Sequence, residues 1–200
     1  MRKVFVLFAL SILILSLGCA RPLKVTRIGE DTVTDLSGRW NDTDSRLVAE
    51  EMINDCLSRP WLGEFTGKHG KKPVVIVGSV ANKSFEHIAV ETFINDLQRA
   101  LINSGRVSFV ADKDIREMIR DEKLDQSQYA SRETMKEMGR EIGADFMLFG
   151  SINSIIDQVE GRKVIFYQVD LELINIETNE KVWMGQKKIK KWIAKEKFKM

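Results

Sequence analysis

The sequence predicts an α/β (α+β) layer domain. A mixed sheet ends in a C-terminal antiparallel three-stranded meander and is flanked by about four helices. Three observations predict it. The run "PVVIVGSVAN" at 73–82 is continuously apolar and β-branched, the pattern of a strand buried on both faces. An amphipathic helix pattern and a second short strand follow it. The last third holds three long strand patterns separated by turn residues, one of them alternating throughout.

Before this domain stands a leader. Arg2 and Lys3 precede an almost unbroken apolar run from Val4 to Leu17. A helix of that length spans roughly 21 Å, short of the ~30 Å hydrocarbon core of a bilayer. A charged head, a short apolar run and a small residue are the layout of a secretory signal peptide. Ser16-Leu17-Gly18-Cys19 resembles the lipobox of bacterial lipoproteins, with Ser16 in place of the usual aliphatic residue. The resemblance implies cleavage after Gly18 and acylation of Cys19. Each buried CH₂ contributes roughly 0.8 kcal/mol, so two or three chains hold a soluble domain on a membrane. Ala20 follows the cysteine, and by resemblance to lipoprotein sorting this favours the outer membrane. The expected organisation is a signal peptide over 1–18, a short tether over 19–34 and one globular domain over 35–200.

Removing Arg2 and Lys3 from the 31 basic residues leaves 29, equal to the 29 acidic ones. A neutral mature chain gives no global field for nucleic acid. With Cys19 lipidated, Cys56 lacks an intrachain disulfide partner.

Residues 20–34 read as the tether leading into an edge strand, because "VTRIGEDTVTDLSG" is β-branched and polar without helical period. A helix follows. Asn41, Asp42, Thr43 and Asp44 offer capping oxygens and favourable charge. Val48, Met52 and Cys56, with Ala49, Ile53 and Leu57 beside them, form its apolar face, and Pro60 stops it. Cys56 on that face reads as a buried small residue, against a reactive thiol as the alternative. "GKHGKK" is a loop before the first strand. Residues 86–103 form the amphipathic helix, ended by Gly105. Asp112 caps a helix to about Lys123 with Ile115, Met118 and Ile119 inward. Ser131 caps another with Met135, Met138 and Ile142 inward, closed by Gly143. In the meander, Ile165, Tyr167, Val169, Leu171 and Leu173 face one way, and Phe166, Gln168, Asp170 and Glu172 the other. Glu160-Gly161 and "ETNE" mark its turns.

No catalytic or metal-ligating constellation emerges. His69 and His87 lack a second ligand at metal spacing. "GKHGKK" lacks the spacing of a phosphate loop. The carboxylates Asp42, Asp44, Glu50, Glu51 and Asp55 are accounted for by helix capping and dipole complementarity. No enzyme, cofactor or metal is expected. The basic tail "KKIKKWIAKEKFK" reads as a solvated edge strand, whose lysines discourage aggregation, or as a contact for an anionic membrane or cell-wall polymer. In "DLSGRWNDTDSR", residues 35–46, Ser37-Gly38 makes a turn before a capped helix. Trp40 either staples the helix start or is an exposed aromatic anchor.

Together, the lipobox, "DLSGRWNDTDSRLVAEEM", "VVIVGSVAN" and "GADFMLFGSI" resemble the LpoB-type lipoprotein activators of penicillin-binding proteins over roughly residues 33–192. The last segment is shared with the curli secretion channel family and with the amino-terminal domain of TolB-like proteins. The resemblance implies a noncatalytic lipoprotein on the periplasmic face of the outer membrane. It would bind and activate a penicillin-binding protein in peptidoglycan synthesis, with peptidoglycan itself as a further expected contact. The lipid bilayer, through acylated Cys19, and the synthase are the expected partners, with no nucleic acid. Arg39, Trp40, Asp42, Asp44 and Arg46 are the candidate partner-binding residues. The competing function is a structural or secretion-associated lipoprotein of the curli-channel-like fold; a third is a hydrolase with an unrecognised site.

Overall fold

The computed structural model describes residues 24–30, 32–111, 113–127 and 143–194. The signal segment, Cys19, Asp112, the helix expected from Ser131 and the last six residues lie outside the described residues. Two compact units follow one another, Met1–Thr32 and Val33–Met200, and every described helix and strand lies in the second.

The expected α+β architecture is present. Helices α1 (Asp42–Ser58) and α2 (Pro60–His69) lead into strand β1 (Val74–Lys83). Helix α3 (Val90–Asn103), the two-residue strand β2 (Ser108–Phe109) and helix α4 (Lys113–Ser127) follow. Strands β3 (Phe146–Val159), β4 (Arg162–Asn175) and β5 (Lys181–Ala194) complete one five-stranded sheet of order β2-β1-β3-β4-β5. β1 pairs in parallel with β2 and β3, and the last three strands are antiparallel. The sheet is mixed because the β1–β2 link is a helical crossover, whereas the meander turns through Glu160-Gly161 and Asn175–Glu180. Gly161 and Asn179 take the positive φ those turns require.

β4 buries Ile165, Tyr167, Val169, Leu171 and Leu173, the face its alternation predicts. The register puts β5 residues Trp183, Gly185, Lys187, Ile189, Lys191 and Ile193 on that same inner side. α1 packs against α3 and β5, and α3 against β1. Val48, Met52, Ile53, Phe93, Leu97, Leu148 and Ile152 join in one core. Burying each of these large side chains stabilises by roughly 1.5–3 kcal/mol. Cys56 is within this core, as its helical position predicts, and burial together with the Asp55 charge pushes its thiol up to about 12.

Three expectations need correction. Residues 24–29 and 32–35 form no strand. Val25, Ile28 and Val33 are all exposed. Pro60 does end α1, with Arg59 held extended before it, but it also begins α2 as its first helical residue. Trp61, Leu62 and Phe65 then bury one face of α2 on Phe146, and Gly70 closes the helix in a left-handed conformation. The third correction concerns α4. Ile115, Met118 and Ile119 share a stripe at helical spacing, yet they are 43–66% exposed instead of inward. An apolar stripe specifies a helix face, not what covers it.

Candidate interaction site

The segment 33–46 enters α1 along the end of the sheet where β5 finishes. Its geometry starts with Asn41. The Asn41 side-chain oxygen accepts the Asp44 N–H at 3.1 Å, while the Asp44 carboxylate accepts the Asn41 N–H at 3.0 Å. This reciprocal capping box satisfies two helix-terminal donors at once. Asn41 also donates through its amide to the Thr34 carbonyl and the Asp35 carboxylate, at 2.9 and 3.0 Å. One asparagine therefore fixes both the helix start and the arm before it.

Trp40 precedes the cap. Its indole N–H donates to Ser45 Oγ at 2.8 Å, bridging the position before the cap and the first turn. Its ring meets Phe93 and Tyr167 edge-on, with centroids 6.0 and 5.6 Å apart. Such pairs add roughly 0.5–1.5 kcal/mol beyond their buried area. Glu86, in the β1–α3 loop, accepts the Trp40 N–H at 3.2 Å with one oxygen and the Tyr167 hydroxyl at 2.7 Å with the other. Burial and the Glu86 charge raise the Tyr167 hydroxyl well above its ordinary range.

From the other side comes Lys191. It sits on the inner face of β5 opposite Ile165 and is only 9% exposed. Its ammonium donates to Asp35 and Asp44, both at 2.6 Å, and to the Arg39 carbonyl at 3.1 Å. All three donors of the group are used. Burial opposes the charge on Lys191, but the two carboxylates outweigh it and hold the ammonium above its usual value. The Lys191 hydrogen bond lowers Asp35, which is largely in solvent. Burial dominates at Asp44 and raises it despite the same lysine. Gly38 completes the closure with φ +69°, and a Cβ there would lie 2.4 Å from Ile193 Cδ1. Only glycine lets the arm pass so close to the strand.

The five candidate residues therefore divide. Trp40 and Asp44 point inward and hold the segment together. Arg39 and Asp42 are exposed, and Arg46 is half-buried with Glu50 3.9 Å away. The lysine tail divides as well. Lys188 and Lys190 project outward from the edge strand, Lys187 pairs with Glu51, and Lys191 turns in. Sequence reasoning passed over Lys191, Glu86 and Tyr167 as parts of this site. For Lys191 a signal existed: it lies between Ile189 and Ile193 at period two, a lysine in a core position. Glu86 carried none, because its partners are 46 and 81 residues away. Among the described residues no group of three His, Cys, Asp or Glu is arranged to hold a metal, and no helix is long and apolar enough to cross a membrane.

Fold and site together define an α+β domain whose N-terminal arm is latched through Lys191 to the inner side of the last strand. The family model described as peptidoglycan-synthase activator LpoB matches residues 44–189. The chain belongs to the LpoB family. The LpoB C-terminal domain from Salmonella enterica is similar at 17% identity and a TM-score of 0.42, over 73% of this chain and 98% of that one. The corresponding Escherichia coli domain gives 17% and 0.35, over 70% and 97%. The PelC dodecamer from Paraburkholderia phytofirmans gives 21% and 0.32, over 60% and 74%. No curated protein sequence matches significantly.

Proposed function

We propose that this chain is a lipid-anchored periplasmic regulator that binds a penicillin-binding protein and favours its active state in peptidoglycan synthesis. Membership of the peptidoglycan-synthase activator family is the observation that carries the reading. A regulator of this kind acts by binding the active state of its target more tightly than the inactive one. Residues 1–18 are its signal peptide and Cys19 its acylated anchor, on the periplasmic face of the outer membrane; Gly18-Cys19 after an apolar run supports this. The globular unit begins at Val33. The intervening residues reach at most about 50 Å when fully extended. The synthase must bring its docking region within that length plus the width of the domain itself. Arg39, Asp42 and Arg46 offer side chains to the partner, while Trp40 and Asp44 keep the segment in shape.

Two measurements test this. Mass spectrometry of the mature chain is expected to find a diacylglyceryl group on Cys19, and Cys19→Ser to abolish it together with membrane retention. The full-length chain is expected to raise glycan polymerisation by a purified bifunctional penicillin-binding protein. Absence of both binding and stimulation with such synthases refutes the regulatory reading.

A further inference from the structure

We propose that the free edge of β5 is a docking strand for an extended acidic segment of the partner protein, which adds to the sheet as a sixth strand. The proposal rests on the regulatory reading above and specifies how the partner is held. β5 is an edge strand of 14 residues, paired along one side by β4. Among the described residues no other strand pairs with it. Its outward N–H and C=O groups form a ready template for an added strand.

A cleft of about 440 Å³ runs beside its last residues. Lys190, Lys191, Trp192, Ile193 and Ala194 line one wall, and 35–38 the other. Consecutive strand residues point to opposite sheet faces. Because both sets line the cleft, it follows the edge of the strand instead of either face. The Lys191 latch holds the opposite wall in place, so the slot is preformed. Leu36, 98% exposed, stands on one lip and Trp192, 65% exposed, on the strand side.

Charge selects the occupant. Lys188 and Lys190 project from the strand, and Arg39 leaves the arm beside it; none has a carboxylate partner among the described residues. Of the nearby carboxylates, Asp35 on the cleft wall is already bonded by Lys191, Glu160 lines a neighbouring cleft with Ile193, and Asp157 lies on β3. An extended peptide with acidic residues opposite the lysines and an apolar residue between Leu36 and Trp192 meets all of these groups. A lipid surface would meet the lysines and Trp192 but leave the backbone edge unused.

Hydrogen exchange on the full-length chain in detergent tests the proposal. With a purified bifunctional penicillin-binding protein added, alternate amides of residues 188–194 are expected to slow by about tenfold or more. The double variant Lys188→Glu, Lys190→Glu and the single variant Leu36→Asp are expected to weaken binding by about tenfold or more with an unchanged circular dichroism spectrum. Met184→Asp, on the same strand at its other end, should bind as the parent does. If the synthase binds and is stimulated while these amides exchange unchanged, the docking strand is refuted and the regulatory reading stands. If it neither binds nor is stimulated, both fall. Slowing by phosphatidylglycerol vesicles alone, or slowing that rises with the concentration of the chain itself, overturns the proposal in favour of a lipid or a second copy.

Discussion

Lys191 Nζ lies 2.6 Å from the Asp44 carboxylate, joining two residues 147 positions apart inside the end of the domain. Removing one member of a buried pair strands the other, at a cost of about 3–5 kcal/mol. Lys191→Met is expected to lose about 3 kcal/mol, at the lower end because half-exposed Asp35 can return to water. Asp44→Asn keeps an acceptor for the helix cap while removing the charge. In the double variant part of the loss should return, and a double-mutant cycle by urea unfolding measures it. A strictly additive cycle contradicts the latch.

Gly38 is expected to resist substitution on two counts. Gly38→Ala meets Ile193 and must also hold φ near +69°. The expected loss is about 2–3 kcal/mol. Adding Ile193→Ala relieves the contact but not the backbone strain, so the pair should remain less stable than Ile193→Ala alone.

Trp40→Phe preserves an aromatic ring for Phe93 and Tyr167 but removes the indole N–H. A loss of about 1 kcal/mol is expected, and Ser45→Ala should cost a similar amount. Because both remove one hydrogen bond, the double variant should be little worse than either single one. Trp40→Ala, which also empties the ring site, is expected to cost about 3–5 kcal/mol.

Alkaline pH should unfold the domain through groups held protonated in its interior. The Cys56 thiol is raised from 9.0 to about 12, burial being the main cause. Above pH 9.0 the unfolded chain therefore releases a proton that the folded one keeps, and stability falls until about pH 12. Cys56→Ala should flatten the curve over that window. A fall from Tyr167, raised from 10.0, and from Lys191, whose contribution is complete below 10.5 and lost as pH passes its higher folded value, should remain. Urea midpoints measured across this range distinguish the two variants.

Much of the architecture could be read along the chain. The five inward residues of β4 follow from an alternation that places every second side chain on one side. The capped start of α1 follows from Asn41 and Asp44, which accept each other's backbone N–H across the first turn. α2 escaped notice because a proline that ends one helix is also suited to begin another, and the choice depends on Phe146 being present for Trp61 and Phe65 to cover. The exposure of Met118 on α4 has the same origin: periodicity names a face and leaves its cover unspecified.

Local chemistry in the sequence thus determined the mixed sheet, the meander and the capped helix carrying Asp42, Asp44 and Arg46, because these depend on side-chain spacing and turn residues within a few positions. Only the tertiary structure decided that Lys191 leaves its neighbours Lys188 and Lys190 in solvent and closes on Asp35, Asp44 and Arg39. A lysine near the C-terminus has the same chemistry in either setting. It is the β4 register, opposite Ile165, that turns it inward toward carboxylates supplied from the far end of the chain.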